Sequence, residues 1–199
     1  MLFSDTYNEI TSSSKGIYSE KGSRFIAYSF IIRQENEIKK ILTEIKSKHK
    51  SANHHCYAFT LYQDRSMYGF NDDGEPKYTA GKPILKQIQI NELTNILIIV
   101  VRYFGGVKLG ISGLIKAYKT AAMNAIANTK IITQNIQEKY IVLFKYTKIN
   151  IVMSLIKEHN LEVLKTDFQE TCKVSFLVPK KDTKVVLDKF KRHQQLKIT

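Results

Sequence analysis

The chain has 199 residues, of which 43% are hydrophobic and only 9 are Gly and 3 Pro, with a formal net charge of +13 at pH 7. This composition excludes a disordered or low-complexity polypeptide and leaves length for one large domain or two small ones. Two distant cysteines, Cys56 and Cys172, and an N-terminus without a basic-then-apolar leader predict reduced thiols in a cytoplasmic protein, and the longest apolar run, 96–101, is far short of the roughly 20 residues of a membrane-spanning helix. The positive charge admits an anionic partner such as nucleic acid. It is equally compatible with lysines that merely solvate the surface, because they are spread through both halves.

After a polar start, Arg24 to Ile32 (RFIAYSFII) is rich in aromatic and β-branched residues and predicts a strand. Ile38, Ile41, Leu42 and Ile45 then recur at helical spacing among Glu and Lys, giving an amphipathic helix over about 35–49. A second strand follows at Cys56 to Tyr62, with Tyr57, Phe59 and Leu61 on one face. The segment Asn71 to Pro83 (NDDGEPKYTAGKP) concentrates turn residues and hands over to a short helix around PILKQIQ. Asn95 to Val101 is apolar on both faces, as expected of a central strand covered from two sides. Beyond it, Leu114, Ala117, Tyr118, Ala121, Ala122 and Ala125 keep helical spacing, so this helix leans a small-residue face on the sheet.

A second pattern begins near residue 138. Strand (Tyr140 to Tyr146), helix (Ile149, Val152, Ile156), strand (Leu161 to Phe168), strand (Cys172, Val174, Phe176, Val178), a short helix with Val185, Val186 and Phe190, and a final LKIT give the order βαββαβ. That is the element order of a ferredoxin-like domain. The polar stretch Asn128 to Lys139 is the natural junction between domains over 1–133 and 138–199.

Between the apolar strand and the alanine-faced helix lies RYFGGVKLGISGL, Arg102 to Leu114, which holds four of the nine glycines. Two readings stand side by side. Gly105, Gly106, Gly110 and Gly113 can serve only to turn and pack the chain. Alternatively, with Ser112 as N-cap and Lys108 adding charge, the loop amides and the helix N-terminus form an anion site. The spacing is neither a P-loop nor a dinucleotide fingerprint. Around it, Arg102, Lys108, Lys116 and Lys119 supply cations and Tyr103 and Phe104 supply rings for stacking, a pattern suited to RNA. Core packing of the rings and simple solvation by the lysines is the competing reading.

Asp72, Asp73 and Glu75 place three carboxylates within four residues. They suit a Mg²⁺ site or a general base, but Asp-Asp-Gly-Glu-Pro is also turn chemistry, and an internal ion pair with Arg102 is the favoured outcome. His54, His55 and Cys56 lack the spacing of a zinc site. They predict a single buried, hydrogen-bonded histidine, with His54 and Cys56 on one strand face and His55 on the other.

The runs D-D-G-E-P-x-x-T-A-G-x-P at Asp72 to Pro83, including Thr79 and Gly81, and R-Y-F-G-G-V-K-L-G-x-x-G-L-x-x-A-Y at Arg102 to Tyr118 closely resemble the signature of the IMPACT (YigZ) family. K-G-S-R-F-I-A at Lys21 to Ala27 and H-x-C-Y-A at His54 to Ala58 match it in order. The resemblance, over about 15–128, implies an α+β protein. It has an N-terminal βαβ domain similar to the second domain of a ribosomal small-subunit protein, a fold shared with a class of small-molecule kinases. It has a C-terminal ferredoxin-like βαββαβ domain similar to the last domain of elongation factor G. Eukaryotic relatives of the family are implicated in translational control through partner proteins, using a further domain not found in these residues.

Two departures stand out: Lys77-Tyr78 replaces the usual Ser-Gly, and Ser112 replaces a usual Gly. The expectation is a non-enzymatic protein of the cytoplasm, linked to translation, that binds RNA or a ribosomal surface without cofactor, metal or membrane. Its alternatives are a phosphate- or nucleotide-binding enzyme or regulator using Gly105 to Gly113, and a protein-interaction module in translation that meets a protein partner without direct nucleic-acid contact.

Overall fold

The computed structural model describes residues 5–199. They form an α+β protein of two compact units, one over Thr6–Gln134 and the other comprising Asp5 and Asn135–Thr199.

The first unit is built on a five-stranded sheet. In chain order its sequence contains β1 (Thr6–Ile10), β2 (Ser14–Glu20), β3 (Ser23–Ile31), α1 (Asn36–Lys48), β4 (His54–Leu61), β5 (Met67–Asn71), α2 (Gly81–Ile90), β6 (Ile96–Tyr103), α3 (Gly110–Ala127) and β7 (Ile131–Asn135). The sheet order is β2-β3-β6-β4-β5, while β1 and β7 pair apart from it. Strand β6 is antiparallel to both neighbours, with Ile98 opposite Ser29 on one side and Ala58 on the other. Strands β3 and β4 therefore run parallel, and α1 is the crossover of a split βαβ unit.

The apolar run in β6 explains this arrangement. Ile96, Ile98 and Val100 face a core shared with α2 and α3, whereas Leu97, Ile99 and Val101 face a core closed by α1. A strand with helices on both faces has no polar side to show, hence its unbroken hydrophobicity. Strand β4 divides in the same way: Cys56 and Ala58 point to the α2/α3 core, Phe59 and Leu61 to the α1 core, with Tyr57 packed beside them.

The polar start and the polar junction carry more structure than their composition suggests. They contain β1, β2 and β7, so the stretch read as a linker over 128–139 is partly a strand. Strand β1 is held by Glu9, only 4% exposed, whose carboxylate accepts from Arg33 and Asn95.

In the second unit, β8 (Gln137–Lys145), α4 (Ile149–Glu158), β9 (Glu162–Asp167), β10 (Thr171–Pro179), α5 (Thr183–Lys191) and β11 (Lys197–Ile198) give the βαββαβ order. The antiparallel sheet order β11-β8-β10-β9 is the ferredoxin-like one. Its core gathers Val142, Val152, Ile156, Val174, Phe176 and Phe190, with the last two rings stacked at 5.2 Å. Strand β9 is exposed along its whole length, as its place at the sheet edge allows.

The alanine face of α3 rests on β2 and β3. Ala117, Ala121, Ala122 and Ala125 are fully buried, and Asn124 and Asn128 donate from α3 to the carbonyls of Ile17 and Lys15. At Gly16 the approach is so close that a Cβ would lie 2.2 Å from the Ala125 nitrogen. We predict that Gly16→Ala destabilises the first unit by about 2 kcal/mol, because a helix backbone rather than a flexible side chain must yield. The check is a lowered urea midpoint at unchanged slope, with Ile17→Thr, at a 43% exposed neighbour, close to neutral.

Candidate functional site

The glycine loop leaves β6 at Tyr103 and enters α3 at Gly110. Gly105 packs on the β2–β3 turn: a Cβ there would lie 1.9 Å from the Gly22 carbonyl carbon, and its amide donates to the Ser23 hydroxyl at 3.1 Å. Gly106 and Gly110 have φ of 86° and 72°, in the left-handed region, with open space where a side chain would be. The loop thus needs glycine for close packing at one point and for backbone conformation at two others.

Ser112 is not the N-cap. Helix α3 begins two residues earlier, its N-cap position is Leu109, and no side chain caps it. Ser112 lies exposed in the first turn, and among the described residues no side chain caps the amides at this helix end.

The acidic loop is organised from within. Asp72 accepts from the amides of Tyr78, Ala80 and Gly81 at 2.9, 3.1 and 2.7 Å, so it caps α2 from a distance. The Thr79 hydroxyl donates to the Pro76 carbonyl, and a Cβ at Gly81 would meet the Asn71 carbonyl oxygen at 2.9 Å. Asp73 accepts from the His55 amide at 2.7 Å and pairs with Lys46 at 3.3 Å.

Tyr78, which stands where the family signature has Gly, has φ of 68°. Glycine takes that backbone without strain. Here the bulky ring lies across the edge of Phe70, with the Lys77 and Lys82 ammonium groups each 4.9 Å from its centre.

Glu75 joins the two loops. Its Oε1 accepts from Arg102 Nη1 at 2.6 Å and from the Tyr118 hydroxyl at 2.7 Å, with Glu75 8% and Arg102 6% exposed. The ion pair expected between the acidic loop and Arg102 is this one. The Arg102 guanidinium also lies 5.5 Å from the Phe25 ring and 5.6 Å from the Phe104 ring, and its Nε is buried without a partner.

Beneath the pair, the Cys56 thiol donates to the Asp72 carbonyl at 3.0 Å and lies 3.4 Å from the Tyr118 hydroxyl. Burial pushes both the Cys56 thiol and the Tyr118 phenol well above their usual pKa. Both therefore stay protonated, and Cys56 is not an activated nucleophile.

His54 Nδ1 faces the Asp73 carbonyl at 2.8 Å and so must donate to it. Its Nε2 lies 3.9 Å from Glu75 Oε1. His55 is buried on the opposite strand face, where burial lowers its pKa. The two expected properties are divided between them: His54 is hydrogen-bonded but half-buried, whereas His55 is buried and its Nε2 has no partner among the described residues.

A cleft of about 520 Å³ opens over this network, lined by Asn53, His54, Glu75, Arg102, Phe104 and Lys108, with the first turn of α3 at Gly110 and Ile111 on its wall. Of the expected residues, Arg102, Lys108 and Glu75 thus meet at one site. Tyr103 turns to the other side of the sheet, where its hydroxyl is 2.7 Å from His49 Nδ1. Lys116 pairs with Glu20 at 3.6 Å, and Lys119 lines a separate groove. Among the described residues, no cluster of three or more His, Cys, Asp or Glu has metal-site grouping. Asn53 is the lining residue that the sequence does not signal: it holds the loop through the Phe104 amide at 2.8 Å, and a single Asn ahead of a strand carries no pattern.

We predict that Glu75→Ala, which strands a buried guanidinium, lowers stability by about 3–5 kcal/mol. Tyr118→Phe, which removes one hydrogen bond, costs about 1 kcal/mol. Comparing the two unfolding curves checks the ranking, and equal effects would contradict it.

The family model of the Impact N-terminal domain matches residues 21–126, a span that contains both loops and the cleft. The chain is 37% identical over 155 residues to an IMPACT family member of Haemophilus influenzae, covering 75% of this chain and 73% of that one. It is 31% identical over 151 residues to the IMPACT family member YigZ of Escherichia coli, covering 75% and 74%. A crystal structure described as that of a hypothetical protein shares 25% identity and aligns over 98% of this chain and 97% of its own at a TM-score of 0.75. The chain belongs to the IMPACT family.

Proposed function

We propose that this protein is a non-enzymatic, translation-linked binding protein of the cytoplasm that holds RNA, free or on a ribosomal surface, by its phosphates at the glycine-loop cleft. The observation that carries this reading is the cleft wall: Lys108 beside the first turn of an 18-residue helix whose amides no side chain caps. Such a helix end attracts an anion through its unpaired N–H groups and its dipole. Phe104, 46% exposed at the same opening, offers a ring to a neighbouring base. The net charge of +13 supplies long-range attraction for a polyanion.

The carboxylates with the residue types of a catalytic site have other work: Asp72 caps α2, and Glu75 neutralises Arg102. Binding is therefore non-covalent, with Lys108 and the α3 amides on phosphate oxygens. The second unit contributes a further docking surface.

A second reading, a nucleotide or other compact phosphate in the same cleft, is favoured by one feature. Arg102 Nε, buried there without an acceptor, is a donor that a small anion reaching the cleft floor would satisfy.

Fluorescence anisotropy with labelled single-stranded and hairpin RNA tests the first reading. Affinity is expected to fall steeply between about 50 and 200 mM salt, and Lys108→Glu to weaken binding about tenfold across sequences while reducing the salt slope by about one. Salt-independent binding, or binding untouched by Lys108→Glu, would count against it. A melting temperature raised by a nucleoside triphosphate, with no RNA binding, would establish the second reading instead.

A further inference from the structure

Helices α2 and α3 lie on the same side of the sheet, and their outer surfaces are unusual for helices facing water. On α3, Ile111, Ile115 and Met123 are 65, 39 and 44% exposed. With Lys119 they form a series at intervals of four, which is a single stripe along the helix. On α2, Lys82, Lys86 and Ile90 form a second such stripe, with Ile90 61% exposed.

Between the stripes lie two depressions of about 370 and 620 Å³ that share Gln87, Ile90 and Lys119, so they form one continuous groove. No Asp or Glu lines either of them. Among the described residues, Lys82, Lys86 and Lys119 form no ion pair with a carboxylate, whereas Lys46, Lys116 and Lys189 all do. The groove therefore joins an aliphatic floor to three uncompensated cations. The exposed aliphatic surface is costly to leave in water, and the cations around it select an occupant of opposite charge, so the two call for one complementary surface.

The side chains decide which surface. Single-stranded RNA is gripped by rings on which its bases stack, and the one ring lining this groove, Tyr78, is already flanked by Lys77 and Lys82 and set against Phe70. Isoleucine and methionine are instead the lining of grooves that receive apolar helix faces. A second copy of the chain is a poor occupant, because it brings the same net charge of +13 and its α1 helix exposes Lys39, Lys40, Lys46 and Lys48.

We propose that the α2–α3 groove docks an acidic amphipathic helix of a partner protein. The helix lays its apolar stripe on Ile90, Ile115 and Met123 and pairs its carboxylates with Lys82, Lys86 and Lys119. This surface is separate in its polar residues from the glycine-loop cleft, and the proposal stands whether or not that cleft binds RNA.

The test uses the full chain and a labelled synthetic peptide of about 18 residues, five helical turns, with leucines at i, i+3, i+4 and i+7 and glutamates along the flanks. Controls are a scrambled peptide of the same composition and a single-stranded RNA. The expected result is saturable binding at least about tenfold tighter than the scrambled peptide, with amide shifts in two-dimensional NMR confined to α2 and α3. The double variant Lys86→Glu/Lys119→Glu should weaken binding by about tenfold or more. Ile115→Ser/Met123→Ser should do the same with the melting temperature lowered by no more than about 5 °C, because both side chains are part-exposed.

Equal affinity for the scrambled peptide would mean bulk charge attraction and would overturn the proposal. Absence of saturation up to about 1 mM, shifts mapping elsewhere, RNA displacing the peptide from these helices, or a dimer in solution that Ile115→Ser/Met123→Ser dissolves would each overturn it as well.

Discussion

Glu75 takes hydrogen bonds from Arg102 and Tyr118 in a site from which water is almost wholly removed. The three residues come from the acidic loop, the end of β6 and the middle of α3, so one carboxylate ties together a loop, the central strand and the longest helix. Burying a guanidinium and a carboxylate is costly, and the loss is offset only where geometry is good and the remaining donors are satisfied. Arg102 meets the first condition with its 2.6 Å contact and misses the second at Nε. The unmet donor lies where the protein opens a cleft.

The placement of α3 follows from this anchor and from the alanine face behind it. With Tyr118 drawn to Glu75 on one side and Gly16 admitting the helix backbone on the other, the axis of α3 has little freedom. Its N-terminus is thereby presented at the cleft. The glycine loop completes the arrangement, because Gly105 packs on the β2–β3 turn while Gly106 and Gly110 take the left-handed conformations that bring the chain round into the helix. The acidic and the glycine loops, alike in their density of chemically suggestive residues, thus have opposite roles. The first is consumed in holding the fold, and the second leaves its polar groups facing outward.

A charged site beside a stable core and an aliphatic groove on the outer faces of α2 and α3 give this small protein two chemically distinct surfaces. The one lysine lining the cleft, Lys108, stands beside backbone amides, whereas those at the groove frame isoleucine and methionine. The same net charge is therefore set in different chemical surroundings in different places, and composition alone does not separate them.

By its own periodicities the sequence determined the doubly covered strand β6, the alanine face of α3 and the βαββαβ order of the second unit. Each rests on many apolar residues whose burial acts locally, and spacing reads such patterns directly. The family followed from long runs of residue identity around both loops. Strands β1, β2, β5 and β7 were not legible, because edge and peripheral strands need few apolar residues and draw their stability from pairing with chain remote in sequence. Ser112 looked like a cap because capping chemistry is local, whereas the true start of α3 is decided by Gly110, whose left-handed φ begins the turn. The pairing of the acidic loop with Arg102 was legible, but only the tertiary structure decided that Glu75, rather than Asp72 or Asp73, is the carboxylate that meets it. Arg102 is 27 residues from Glu75, and His54 and Lys108 reach the same cleft from other strands and loops. Convergence of that kind is set by the packing of the sheet and its helices, and no spacing in the chain encodes it.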